Sequence, residues 1–406
     1  LSSRENQHAF LQAAAEIARE VRGQASYARD GGIYWTQPSP RDRRDEKSER
    51  IRPLDANLYP GTMGIALFFA LAAKVLGDPE QGSLALHIVA PLRREIREIV
   101  PDPERSRQVR RPVGGLVGLG SLVYGLVRLG DLLGQPVLWD EALELSALIT
   151  PERIAEDQEL EVMRGSAGAL LALLALESRR PGPNPAGHTA LDLALRAGEH
   201  LLDRRDSWTG SPETVPLGFC HGAAGVVCAL ANLARRTARA DLREAAGEGW
   251  TYIGNTFDPQ LGNWRLPNRG GLPTNSWCNG ATGILLCALA PISSPADPVD
   301  SSLAAALKTL QTSPIESTDH LCCGNMGRID ALIHASGKLS DPEILRSAEA
   351  LAASVMERAR REGRYRLMFH PADLIDTRLF PGSTGVGYAF LRLAAPGSIP
   401  SLLAMA

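Results

Sequence analysis

The pattern Gly-x-x-Gly recurs seven times along this chain, and its even spacing constrains the fold more than any other feature. The first glycines are Gly61, Gly115, Gly165, Gly222, Gly280, Gly324 and Gly382. Successive copies lie 54, 50, 57, 58, 44 and 58 residues apart. With 39 glycines in 406 residues, chance alone gives about four such pairs, irregularly placed. A recurrence at this period marks a repeat architecture. Each unit is then one supersecondary element that buries its apolar face against its neighbours.

The segments around the pairs say what the unit is. Runs such as Ile65–Leu71, Ala169–Leu174, Val226–Leu230, Ile284–Leu289 and Val386–Leu391 follow the glycines. They are rich in apolar residues, do not alternate, and read as buried helices. Ala13–Val21, Leu84–Ile99, Leu143–Ile149, Leu191–Leu202, Leu303–Leu310 and Ile344–Arg361 lie between the pairs and are amphipathic at helical spacing. They suit an outer layer. Each unit reads as an outer helix, a loop, the glycine pair and an inner helix. The last unit, Leu379–Leu393, is as apolar as the internal ones. An open solenoid needs a polar end cap, so this predicts closure. The expected fold is all-α: one domain over residues 1–406, an α/α toroid of seven inner and seven outer helices. Thr251–Ser276, dense in glycine, reads as a long loop or a short two-stranded flap. The charged segment Arg41–Arg52 reads as a surface loop.

Composition narrows the function classes. Hydrophobic residues at 44% support a sizeable core. A net charge of -3 offers no basic footprint for a nucleic-acid partner. No apolar run is long enough for a membrane span. Six cysteines in 406 residues do not make a disulfide scaffold, so reduced thiols in a cytoplasmic setting are expected. The chain begins at Leu1 rather than Met, as expected of a fragment of a longer protein.

A closed ring brings all seven glycine turns to one end, where residues distant in sequence meet. Reactive side chains cluster at the turns of units four, five and six. Cys278, Cys322 and Cys323 are three thiols at helix starts, and they predict a zinc site with three protein ligands and one open position. Helix N-termini favour the thiolate form. Buried structural cysteines are the alternative, with His320 a substitute ligand and Cys220 a packing residue. His221 stands at the same rim and is the candidate acid–base group. Glu161 interrupts an apolar stretch and either orients that group or serves as a helix cap or solvent-facing residue. Arg164 is placed to attract an acidic substrate segment. Sulfur ligands weaken zinc as a Lewis acid, which favours an incoming thiol as nucleophile over activated water.

The residues at these turns resemble the lanthionine synthetase C-like family. They are similar, more narrowly, to the C-terminal cyclase domain of class II lanthipeptide synthetases. The resemblance rests on Leu58-Tyr59-Pro60-Gly61 with Gly64-Ile65-Ala66, on Gly118-Leu119-Gly120-Ser121, on Val162-Met163-Arg164-Gly165 through Gly168, and on Cys220-His221-Gly222. It extends to Ser276-Trp277-Cys278-Asn279-Gly280, Cys322-Cys323-Gly324 and Gly382-Ser383-Thr384-Gly385. Cys-Cys-Gly in unit six resembles the class II enzymes, where stand-alone cyclases have Cys-His-Gly.

The resemblance implies one zinc ion per chain on Cys278, Cys322 and Cys323. It implies addition of a peptide cysteine thiolate to dehydroalanine or dehydrobutyrine in the same precursor peptide, closing a thioether ring. His221 then protonates the α-carbon enolate. Arg164, Thr274, Trp277 and Asn279 are the residues expected to meet substrate. Two positions depart from the family pattern. Glu161 stands where Asp is usual, and Thr274 where stand-alone cyclases carry Arg. An N-terminal dehydratase domain is the expected partner in a full-length synthetase, and this chain is expected to cyclise an already dehydrated peptide. Two other readings stand beside this one: another zinc enzyme on the same toroid, and a non-catalytic peptide-binding toroid with structural zinc.

Overall fold

The computed structural model describes residues 3–28, 32–38, 51–210, 215–266, 270–292, 298–368 and 375–405. Of the expected loop Arg41–Arg52, only Ile51 and Arg52 fall within them, and His370 lies outside.

In chain order the helices are α1 (Ser3–Gly23), α2 (Thr62–Leu76), α3 (Pro79–Ile99), α4 (Pro103–Gln108), α5 (Leu119–Leu133) and α6 (Val137–Ser146). Then come α7 (Pro151–Ala155), α8 (Ser166–Glu177), α9 (Ala190–Asp203), α10 (Asp206–Thr209), α11 (Ala223–Thr237) and α12 (Ala240–Gly254). The last are α13 (Ala281–Ala288), α14 (Pro298–Thr312), α15 (Asn325–Leu339), α16 (Pro342–Glu362) and α17 (Ser383–Ala394).

The inner ring consists of α2, α5, α8, α11, α13, α15 and α17. Each packs on the next, and α17 returns to α2. Around it, α3, α6, α9, α12, α14 and α16 each lie on the inner helix that precedes them. The seventh outer helix, α1, packs on α17 at the other end of the chain. Phe10 stacks on Phe390 with ring centroids 5.8 Å apart, and the Gln7 side-chain amide donates to the Ala394 carbonyl at 2.6 Å. The expected toroid is therefore present, with one shift of phase. Outer helices follow their inner partners in sequence, and the first and last helices together make the closing hairpin.

The glycine pairs have a steric cause. Six of the seven inner helices begin one residue after the first glycine of a pair, which is the N-cap. The preceding turn folds back over the helix start. A Cβ on Gly64, Gly168, Gly225, Gly283, Gly327 or Gly385 would come closer than 3.0 Å to the carbonyl oxygen six residues earlier. Unit two differs from the other six. Its N-cap is Gly118, the second glycine of the pair, at φ 123°, and a Cβ there would collide with the Pro112 carbonyl. Gly115 instead packs against Gly168 of the next unit.

The outer helices start by a different chemistry. Asp78 and Asp341 cap α3 and α16 ahead of a proline, and Thr189 closes a capping box on α9.

Backbone hydrogen bonds join the turns into a rim. Tyr59 N–H donates to Leu116 O at 3.0 Å, Leu116 to Met163 at 3.2 Å and Met163 to Cys220 at 3.3 Å. Phe219 donates to Trp277 at 3.2 Å, Trp277 to Cys322 at 3.0 Å and Leu321 to Phe380 at 3.0 Å. The turns are thus held in order around the axis, which fixes where each side chain points.

Three short antiparallel pairs complete the described structure: β1 (Ser26–Tyr27) with β2 (Ile33–Tyr34), β3 (Thr36–Pro38) with β4 (Ile51–Pro53), and β5 (Phe257–Asp258) with β6 (Asn263–Trp264). The last is the two-stranded flap expected within Thr251–Ser276, although α12 occupies the start of that stretch.

After α17 the chain turns into the centre of the ring. Ser401, Leu402, Leu403 and Met405 are all buried. Ser401 Oγ donates to Asp330 Oδ2 at 2.5 Å, and Leu402 N–H to Tyr388 Oη at 2.9 Å. Asp330 also pairs with the buried Arg392. This tail fills the axis of the toroid. Among the described residues no helix is long and apolar enough to cross a membrane.

Candidate metal centre

The rim gathers the three cysteines named from the sequence. The sulfurs of Cys278, Cys322 and Cys323 lie within 4.8 Å of one another. Cys278 comes from the turn before α13, and the other two from the turn before α15. Trp277 N–H to Cys322 O joins those turns directly. Cys322 is fully buried, Cys278 nearly so, and Cys323 is the most accessible of the three.

Crowding controls their charge. Hydrogen bonds from the Cys278 and Cys322 thiols push the Cys323 thiol well below its ordinary range. Cys278 and Cys322 are both pushed up, Cys278 chiefly by its contact with Cys220 and Cys322 by its contact with Cys278. One sulfur ionises easily, and a second beside it does so at a cost that a bound cation would offset. Sulfurs on one zinc at about 2.3 Å stand about 3.8 Å apart. The donor set and its crowding therefore fit a thiolate-binding ion.

Two groups that the sequence reading ranked low or left out support the cluster. Tyr59, in the first turn, donates its phenolic hydrogen to the Cys322 sulfur at 3.1 Å. His320 Nδ1 lies 3.2 Å from the same sulfur and accepts the Cys323 N–H at 3.2 Å. Beneath them runs an aromatic stack, Phe219–Trp277–Phe380–Tyr59, with successive centroids 6.0, 5.4 and 4.9 Å apart. Cys220 is fully buried beside Cys278, and burial pushes its thiol up to about 11.

Turn four interlocks with turn five because Gly218 has no side chain. A Cβ there would occupy the space of the Cys278 carbonyl and the Asn279 Cα. This close approach sets His221 beside the thiol cluster. The ligand atoms of Cys220, His221 and Cys278 also lie within 4.8 Å of one another. His221 Nδ1 is 3.1 Å from Glu161 Oε2. The hydrogen bond that His221 donates to Glu161 raises the imidazole pKa, against burial that lowers it. A carboxylate on Nδ1 places the proton there in the neutral ring, leaving Nε2 for exchange.

Glu161 also holds its own turn. Its Oε2 and Oε1 accept the N–H groups of Met163 and Arg164 at 2.9 and 2.8 Å. The preceding Leu160 is buried at φ 60°, in the left-handed region that a branched side chain avoids. Asp157 holds it there by accepting the Leu160 and Ser166 N–H groups at 3.2 and 2.7 Å.

The family profile described as lanthionine synthetase C-like protein matches residues 52–404. The chain belongs to this family. A comparison with curated protein sequences found no match. Among solved structures, this lanthionine synthetase C-like chain is similar to nisin cyclase at 15% identity and a TM-score of 0.45, over 78% of this chain and 97% of that one. It is also similar to cellobiose 2-epimerase from Bacillus thermoamylovorans B4167 at 11% identity and a TM-score of 0.36, over 83% and 89% of the two chains.

The four residues expected to meet substrate fall in different settings. Arg164 is exposed on the rim, its guanidinium 3.7 Å from Glu159. Asn279 is half-buried, its N–H donating to Ser276 Oγ at 3.2 Å. Thr274 shapes turn five: its hydroxyl accepts the Ser276 N–H at 3.2 Å and its carbonyl the Ala281 N–H at 3.0 Å. Trp277 is wholly buried, with its indole N–H on the Leu403 carbonyl at 3.1 Å. It supports Cys278 from within the ring rather than lining open surface.

Proposed function

We propose that this member of the lanthionine synthetase C-like family is a zinc-dependent cyclase. It closes (methyl)lanthionine rings by adding a peptide cysteine thiolate to dehydroalanine or dehydrobutyrine of the same precursor. The observation that carries the reading is the convergence of three thiols with a carboxylate-held imidazole at one open rim. Cys278, Cys322 and Cys323 are the residues that would hold one zinc ion. When bound, the metal supplies the Lewis acidity that keeps a substrate thiol deprotonated near neutral pH.

The chain's own groups account for the rest. The sulfur lone pair forms the bond to the β-carbon, and the alkene π pair moves onto the α-carbon as an enolate. His221 delivers a proton to that carbon from Nε2, and the proton released by the substrate thiol restores the ring. Nothing is added to or lost from the peptide. Glu161 fixes the tautomer and plane of His221 and stabilises its protonated form. Arg164 and Asn279 at the rim would hold the peptide backbone or acidic side chains. Cys322-Cys323-Gly324 favours the class II branch, in which an N-terminal dehydratase domain would supply the dehydrated peptide.

The test is direct. Metal-loaded protein is incubated with a dehydrated, thiol-bearing precursor. Free thiol should be consumed at constant peptide mass, faster than without protein. Elemental analysis should find one zinc per chain, largely lost in Cys278→Ala and Cys323→Ala. His221→Asn should keep the zinc and lose the rate. No acceleration by zinc-loaded protein would end this reading, and a mass gain of one water would replace it with hydrolysis.

A further inference from the structure

The other mouth of the toroid carries a second site. At the C-terminal ends of the inner helices, a cavity of about 860 Å³ opens between α2, α5, α15 and α17, with Arg179, just past α8, at its edge. The buried tail forms its inner side, with Pro400 and Leu402 among the lining residues. The tail therefore separates this cavity from the metal rim, and the cavity is a dead end.

Its charge is one-sided. Lys74, Arg128, Arg179, Lys338 and Arg392 line it. Two carboxylates offset them. Asp131 accepts from Arg128 at 3.0 Å and from Arg179 at 2.7 Å, while Asp330 pairs with Arg392 behind the wall. Five cations against two carboxylates leave three positive charges in excess. Lys74 and Lys338 are exposed at the mouth and make no ion pair or hydrogen bond among the described residues. The chain has only four lysines, and two of them meet here. The positive field is felt by His334, whose pKa is pushed down by burial and further by Arg392 and Lys338.

Complementing the helix dipole is not a sufficient reason for this arrangement. A cation in the last turn of a helix is worth about 0.3–1 kcal/mol wherever it points around the axis. Turning several such cations towards one shared volume adds mutual repulsion. An anion in that volume removes the repulsion. Leu67, Leu71 and Ile333 supply apolar wall between the charges, and the volume lies in the range of small-molecule sites.

We infer that this cavity binds a small organic polyanion, a phosphate ester or polycarboxylate with an apolar body. Its charged groups are held by Lys74, Lys338 and Arg179 at the mouth and by Arg128 within. A compact ligand is favoured over an extended chain because the tail closes the inner end.

Calorimetric titration of the full chain with ATP, inorganic pyrophosphate and citrate separates phosphate from carboxylate chemistry, and a plain anion from one with an apolar body. At least one probe should bind one per chain, more weakly as salt rises. Lys74→Ala with Lys338→Ala should weaken binding at least tenfold without changing the melting temperature of the free protein or its zinc content. ATP binding above pyrophosphate supports the apolar part of the proposal; citrate binding alone selects carboxylates. The proposal is overturned if no probe binds at millimolar concentration, or if binding is unchanged in the double variant. Neither result depends on cyclisation, so this site and the proposed activity stand or fall separately.

Discussion

The Tyr59 hydroxyl donates to the Cys322 sulfur at 3.1 Å, across 263 residues of chain. The contact exists because the first and sixth turns share one rim, and because Tyr59 is flattened against Phe380 with centroids 4.9 Å apart. Burial and the neighbouring Cys322 charge both raise the phenol pKa, so the group stays a donor. Tyr59 thus steadies the Cys322 sulfur, the one proposed to bind zinc.

Tyr59→Phe keeps the ring stack and removes only this hydrogen bond. Loss of a partner of a metal ligand typically costs about 10–100-fold in metal affinity or activity. Chelator competition should show a zinc affinity reduced within that range, with the far-ultraviolet spectrum unchanged. Equal affinities would show that the hydroxyl plays no part in holding the sulfur.

Glu161→Gln offers one acceptor oxygen where two are used, and no charge for the imidazolium. The His221 ring loses its fixed tautomer. Cyclisation of a dehydrated peptide should slow by about 10²–10⁴-fold, with zinc content retained. Glu161→Asp keeps the charge on a shorter arm and should lie between. A wild-type rate in Glu161→Gln would remove the carboxylate from the mechanism.

Closure of the ring rests on α1 seating against α17. Phe10→Ala opens a hole opposite Phe390 and should destabilise the fold by about 3–5 kcal/mol. Urea unfolding measures this. A loss below about 1 kcal/mol would mean that the ring does not depend on its first helix.

His334 gives the stability a pH dependence with a definite sign. Burial, Arg392 and Lys338 push its pKa to about 3 in the folded chain, whereas the unfolded chain takes the proton near 6.5. Above about 6.5 the two states match and the contribution is complete. As the pH falls from there towards 3, only the unfolded state is protonated, and stability declines by at most about 1.4 kcal/mol per pH unit. His334→Gln should make the acid side of the urea-midpoint profile shallower. Superimposable profiles would show that the imidazole ionises freely in the folded state.

Much of this molecule was written locally. The steric rule that puts glycine against a carbonyl six residues back operates within one turn, so the sequence alone counted the units, located the inner helices and pointed to Cys278, Cys322, Cys323, His221 and Glu161. The local reading did not say which glycine of a pair caps its helix, because Gly115 and Gly118 look alike in sequence while Pro112 and Gly168 decide their roles in space. It could not pair α1 with α17, place Tyr59 on Cys322, bury Trp277 against Leu403, or gather Lys74 and Lys338 at one mouth. Those relationships depend on the closing angle of seven stacked hairpins and on a tail that fills the axis. They are set by packing summed around the whole ring, and no short stretch of chain contains them.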